Sequence, residues 1–144
     1  MSQSLSAAIT TLQSDIAALT GIAGAPATPP AQAGNFPMTI AYEGQGIWEF
    51  KEMGAAHWGK LSIIVEIHFP INLWDAAFAI LYQYNELIPK TIAKAMYNNS
   101  IGGNINNYQD IRTTGVVPMK MGDVSTIGQR WMVEGIVIKQ DLNI

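Results

Sequence analysis

Residues 61–77 read LSIIVEIHFPINLWDAA, and the hydrophobic period changes in the middle of that stretch. From Leu61 to Phe69 every second residue is apolar (Leu61, Ile63, Val65, Ile67, Phe69), while Ser62, Ile64, Glu66 and His68 fall between them. That alternation is the signature of a β-strand with one apolar and one mixed face. Pro70 has no N–H to offer the ladder, so the strand should end there. Asn72 is a suitable N-cap and Asp75 suits the positive end of a helix dipole, so a helix should begin at about Leu73. The spacing then gives one stripe of Leu73, Ala77, Ile80, Tyr84, Leu87 and Ile88, with Trp74, Phe78 and Leu81 beside it. Such an arc is broader than a helix resting on a single sheet needs, so a second layer or another subunit should cover part of it. Ile88-Pro89 should kink or interrupt the helix, with KTIAKAMY resuming it.

Upstream, Leu5, Ala8, Ile9, Leu12, Ile16 and Leu19 recur at spacings of three and four, which predicts a helix from about Ser4 to Thr20 with Gly21 as its stop. The segment 21–37 is rich in Ala, Pro and Gly and reads as an extended strap. MTIAY (38–42) and GIWEFK (46–51) are strand-like and separated by a short EGQ, which predicts a hairpin. Downstream, five of the ten residues from 98 to 107 are Asn, with Gly102 and Gly103 between them. Regular structure there should be short, so 98–128 reads as an irregular extension or hairpin whose Tyr108, Val116, Met119 and Met121 offer apolar contacts. A strand from about Arg130 to Lys139 closes the chain, with Gly135 marking a bulge or a close approach.

With 144 residues, these elements predict one domain spanning 1–144. The fold class is α+β, a mostly antiparallel sheet of four or more strands with the long helix and the N-terminal helix packed on one face. Only 13% of residues are charged, against about 25% in an average soluble domain. Uncharged polar groups take up the shortfall, and a surface of that kind is cheap to desolvate against another subunit. The net charge is −3 and the eight Lys and Arg are scattered, so nothing neutralises a phosphate backbone and nucleic-acid binding is not expected. Cysteine is absent, which removes disulfides, thiolate metal sites and a cysteine nucleophile. The N-terminus lacks the basic start of a secretory signal, and no apolar run approaches the length of a membrane span.

The sequence contains no nucleophile elbow, dinucleotide fingerprint or phosphate loop, and no catalytic, metal or cofactor site is assigned. Glu66 and His68 share a strand face, but a metal would need further donors, and His57 is the one other imidazole. The expectation is therefore a solvated or interface face. Trp48, Trp58, Trp74 and Trp131 serve equally well as core or as interface anchors.

Taken together, the N-terminal helix, the strap, FPMTIAYEGQGIWEF, LSIIVEIHF, NLWDAAFAILYQY, the irregular extension and RWMVEGIVI resemble, in order and pattern, the tail terminator proteins of long-tailed bacteriophages. The likeness covers most of the chain, although the Asn-rich segment 98–107 departs from it. What the resemblance implies is an α+β subunit in a hexameric ring at the head-proximal end of the tail. Such a ring ends tail-tube growth and joins the tube to the head connector. It would be a non-enzymatic part of the virion tail or neck, assembled in the host cytoplasm, with the tail tube protein and head-tail connector proteins as partners and no cofactor or membrane. Expected contact residues are Glu66, His68, Tyr108, Val116, Met119 and Met121. The alternatives are another phage neck or tail-tube-associated protein, and a small metal-binding or enzymatic module around Glu66, His68 and His57.

Overall fold

The computed structural model describes residues 3–22, 24, 36–52, 56–71, 74–103 and 110–141. The elements run α1 (Leu5–Ala17), β1 (Met38–Glu43), β2 (Ile47–Glu52), β3 (Ala56–Pro70), α2 (Trp74–Gly103), β4 (Asp110–Met121) and β5 (Val124–Asp141). All strand pairs are antiparallel, in the order β1-β3-β5-β4 with β2 also on β3. Both helices lie on one face of this sheet, so the chain has the α+β architecture that the change of period at Pro70 foretells.

The alternating residues of β3 behave as the period requires. Leu61, Ile63, Val65, Ile67 and Phe69 join Ile127, Trp131, Val133, Ile136 and Ile138 of β5 in one buried core. α1 closes that core from its own subunit with Leu5, Ala8, Leu12 and Ile16. Its start is set by Ser4, whose hydroxyl accepts from the Ala7 N–H at 3.2 Å. Gln3 ties the segment before it to β5, donating its N–H to the Lys139 carbonyl and accepting the Lys139 N–H through Oε1, both at 2.9 Å. Ile9 and Leu19, predicted on the inner face, are partly buried against the same core.

β1 and β2 do not form the expected hairpin. Met38 to Glu43 pair with His68 to Ile63, and Ile47 to Glu52 pair with Lys60 to Ala56, so the chain continues in one direction along a single edge of β3. The EGQG segment is a step in this interrupted strand, and the antiparallel partner of β2 is the start of β3 from Ala56 onward. The two glycines show why: a Cβ on Gly46 would sit 2.4 Å from Leu61 Cδ2 and 2.8 Å from the Lys60 carbonyl, and one on Gly44 2.2 Å from Ser62 Oγ. They permit close passage along β3 rather than a turn away from it.

α2 spans 30 residues and runs through Pro89, where the sequence predicts a kink or a break. A proline inside a helix costs about 3 kcal/mol. Beyond it, however, Ile92 is fully buried and Ala95 nearly so, and one buried Ile alone is worth about 1.5–3 kcal/mol. Helix is also continuous through 98–103, where Asn and Gly suggested turns, because an established helix extends at little cost per added residue. Asn72 and Leu73, assigned the helix start, and most of the strap lie outside the described residues. The buried face of α2 is narrower than the sequence arc: Ala77, Leu81, Tyr84, Ile88, Ile92 and Ala95 face inward, whereas Ile80 and Leu87 remain exposed.

Of the extension predicted over 98–128, residues 98–103 belong to the end of α2 and 110–128 to a long β4–β5 hairpin closed at Gly122-Asp123. β5 begins six residues before the predicted Arg130, at Val124, since Thr126, Ile127 and Gly128 already pair with β3. The expected irregularity at Gly135 is present. Its φ is +68°, and the β3–β5 register shifts beside it, between the Leu61–Ile136 and Ile63–Val133 pairs. Among the described residues no helix is long and apolar enough to cross a membrane.

Candidate functional site

Among the described residues, the sheet face away from the helices carries the most concentrated polar chemistry. On β3, Glu66 and His68 point to this face, two residues apart. Both were expected on an exposed face, but Glu66 is 3% exposed and His68 is wholly buried. The reason lies in their neighbours. His68 pairs with Met38 on one side and Gly128 on the other, and Met119 Sδ stands 3.1 Å from where a Gly128 Cβ would be. Met38 and Ile40 of β1 also form a buried cluster with Met121 of β4, flanked by Phe36 and Tyr42.

β1 and β4 are three strand spacings apart in the sheet order, about 14 Å if the sheet were flat. Contact between them therefore means that the sheet is not flat here, as the twist between successive strands allows. Met121, predicted as a projecting contact, is consequently buried at 2% exposure. Val116 is half-buried against the main core, Met119 is half-buried, and Tyr108 lies outside the described residues.

Inside this enclosure Glu66 accepts three hydrogen bonds. Tyr42 Oη donates to Oε2 at 2.5 Å, Arg130 Nε donates to Oε2 at 2.7 Å, and His68 Nε2 donates to Oε1 at 2.9 Å. With Nε2 committed to the carboxylate, Nδ1 of a neutral His68 ring accepts from the Thr126 hydroxyl, 2.6 Å away. Burial by itself raises the Glu66 pKa, but the hydrogen bonds from His68, Tyr42 and Arg130 outweigh it and hold the carboxyl below its ordinary 4.5. Tyr42 is displaced the other way, to about 12, by burial and then by the Glu66 carboxylate that accepts its proton.

Tyr42, Thr126 and Arg130 were not singled out in the sequence. The signal available was parity: Thr126, Gly128 and Arg130 alternate on one face of β5, but that strand reads from Arg130 onward by apolar pattern alone. The hydroxyl, imidazole and carboxylate of Thr126, His68 and Glu66 form a line that outwardly suggests nucleophile activation. Thr126 is buried and its hydroxyl is already engaged with His68 Nδ1, so the line reads as a packed hydrogen-bond network.

His57 does not join this group. It lies eleven residues back along β3, roughly 36 Å at 3.3 Å per residue, with Nε2 2.9 Å from Gln140 Oε1 and its ring edge-on to Trp48. The three-residue metal module of Glu66, His68 and His57 is therefore not assembled, and among the described residues no three His, Asp or Glu are gathered to hold a metal. Of the tryptophans, Trp131 is core, Trp58 is half-buried beneath Lys139 Nζ at 5.5 Å, and Trp48 is 43% exposed.

A concavity of about 290 Å³ opens beside the network, lined by Ile40, Tyr42, Glu66, Lys120, Met121, Gly122 and Arg130. Lys120 also borders a second one of about 390 Å³ with Ile71, Pro118, Met119, Ser125 and Thr126. No protein-family model matches the chain, and no curated protein matches it in sequence.

Proposed function

We propose that the chain is a structural subunit of a phage virion, assembling into a closed ring at the head-proximal end of a tail. There it ends tube growth and presents a surface to the head connector. The reading starts from the order of sequence elements that resembles tail terminators. The observation that carries it further is that the described residues leave large apolar side chains exposed on more than one surface, two of which stand out as paired positions. Ile80 and Leu87 stand one above the other on α2, 38% and 36% exposed, while Ile47 and Trp48 are exposed on β2 at the sheet edge.

Two different patches on one subunit suit a heterologous contact, in which each copy offers one surface to the next and the other to the previous one. Such contacts close into a ring when the rotation closes. Ring number is taken from the resemblance, which implies six. The partners are then the tail tube protein and the connector, met by shape rather than by chemistry on a substrate.

Light scattering coupled to size exclusion on the full chain, followed by imaging with purified tail tubes, tests the reading. Rings of countable symmetry capping one tube end are expected. A chain that stays monomeric at high concentration and forms no ring on tubes overturns it.

A further inference from the structure

The sheet face away from the helices also carries a shallow groove of about 570 Å³. Its floor holds Ile64 and Met132, register partners across β3 and β5 that are both half-buried, with Gln45, Lys60, Ser62 and Glu134 around them. Lys60 is balanced by Glu49 at 3.9 Å. On the β4 side, Arg112 Nε lies 3.2 Å from Glu134 Oε2 and 3.8 Å from Asp110 Oδ1. The register puts all three on the groove's face, since Asp110 is opposite Glu134 and Arg112 opposite Met132. One guanidinium against two partly exposed carboxylates leaves that rim with an excess of negative charge.

α2 presents the complement. Ile80, Leu87 and Lys94 recur every seven residues, so they form one line along the helix with a drift of about 20° per step. Ile80 and Leu87 are exposed, and Lys94 and the neighbouring Lys90 are exposed cations with no ion-pair partner among the described residues. The helix therefore reads apolar and then basic, with Leu87 about 10 Å from Lys94 at 1.5 Å per residue. The groove reads apolar and then acidic, with Met132 about 7 Å from Glu134 along β5, a difference that the flexible lysine stem spans. Within one subunit α2 and the groove lie on opposite faces of the sheet, so they can meet only between copies.

We propose that α2 of one copy seats Ile80 and Leu87 on the Ile64–Met132 floor of the next, with Lys90 and Lys94 against Asp110 and Glu134. The inference rests on the ring reading and names its contact: each copy offers a helix to one neighbour and a groove to the other. Ile47 extends the same surface, because it is the register partner of Lys60 and stands exposed beside it.

The chain has no cysteine, so introduced thiols are unique. The full chain carrying both Leu87→Cys and Met132→Cys should give a ladder of covalent multimers with a short bis-maleimide, while either variant alone stays uncoupled. Lys94→Glu should weaken assembly about tenfold in a light-scattering dilution series with the unfolding midpoint in place, and adding Glu134→Lys should restore part of the loss. Self-coupling of Leu87→Cys, which sets helix against helix, or an absence of recovery in the charge-reversed pair overturns the proposal. Rings that form without the ladder remove this contact and leave the ring standing. A chain that is monomeric throughout overturns both.

Discussion

Arg130 and Glu66 are direct register partners across the β3–β5 ladder, and the Arg130 Nε lies 2.7 Å from the Glu66 Oε2 on the face opposite the helices. A slip of one residue between the two strands would turn Arg130 toward the apolar core and leave Glu66 with its charge buried and unmatched. The pair therefore penalises the wrong register of the two longest strands in the sheet.

Removing the Glu66 charge should be costly. Glu66→Gln keeps the volume but leaves donors from Tyr42, His68 and Arg130 competing for one amide oxygen. Because Arg130 is partly exposed, the expected loss is about 2–4 kcal/mol rather than the full cost of orphaning a buried pair. Urea unfolding should show a lower midpoint with an unchanged m-value. A loss below about 1 kcal/mol would show that the network is solvated in solution.

Stability should depend on pH at both ends of the range, in directions set by the two displaced groups. Glu66 holds its proton less tightly in the fold than its ordinary 4.5, so its contribution is complete above that value and is lost as pH falls below it. Tyr42 holds its proton more tightly, at about 12 against 10.0, so its contribution is complete below pH 10 and is lost as pH rises toward 12. Unfolding free energy measured from pH 3 to 6 should rise with pH, and Glu66→Gln should flatten the rise. Ultraviolet titration of the native chain should lose its latest-ionising tyrosine in Tyr42→Phe.

Gly128 should tolerate no side chain. A Cβ there would stand 2.1 Å from the Ile67 carbonyl oxygen, a backbone atom held in the ladder, so Gly128→Ala should cost about 3 kcal/mol or more. Gly115, with φ +70° and nothing within 4 Å of a built Cβ, supplies the comparison. Gly115→Ala should cost only about 1–2 kcal/mol, the strain of that backbone conformation. Equal thermal midpoints for the two variants would contradict the close approach of β3 and β5.

The exposed stripe on α2 should matter to assembly and not to the fold. Ile80→Lys with Leu87→Lys removes apolar surface that the subunit leaves uncovered, so the shift in unfolding free energy should stay within about 0.5 kcal/mol. Assembly mass by light scattering should fall. If the fold is lost instead, the stripe belongs to the core.

How much of this was written in the sequence depends on whether the deciding contacts are local. The period-two pattern from Leu61 to Phe69, the start of α1 near Ser4 and its inner face were legible, because neighbouring residues carry them. The path of β1 and β2 was not, since EGQG has turn chemistry and only its passage against Lys60 and Leu61 shows what its glycines permit. The length of α2 escaped for a similar reason: Pro89 and the asparagines are local signals, overridden by burial of Ile88 and Ile92. Burial of Glu66 and His68 was hidden most deeply. Alternation gives the face but not what lies above it, and Met121 is brought there by long-range packing with Met38 and Ile40 of β1. Of the site, the carboxylate and imidazole were readable as a pair, whereas Thr126 and Arg130 became partners only through β5.

The strand order has a consequence for biosynthesis. β3 pairs with β5 along most of its length, as far as Ala56 with Asp141, yet β4 and the whole of α2 are made between them. A nascent chain that has completed α2 therefore carries β3 with one apolar edge open and waits for the last described strand to fill it. Such long-range closure is slow, and an open edge of this composition is where chains pair with the wrong neighbour. The same chains would then be at risk of aggregation on the ribosome, and a chaperone that shields β3 until Asp141 has emerged would raise the yield of folded subunits.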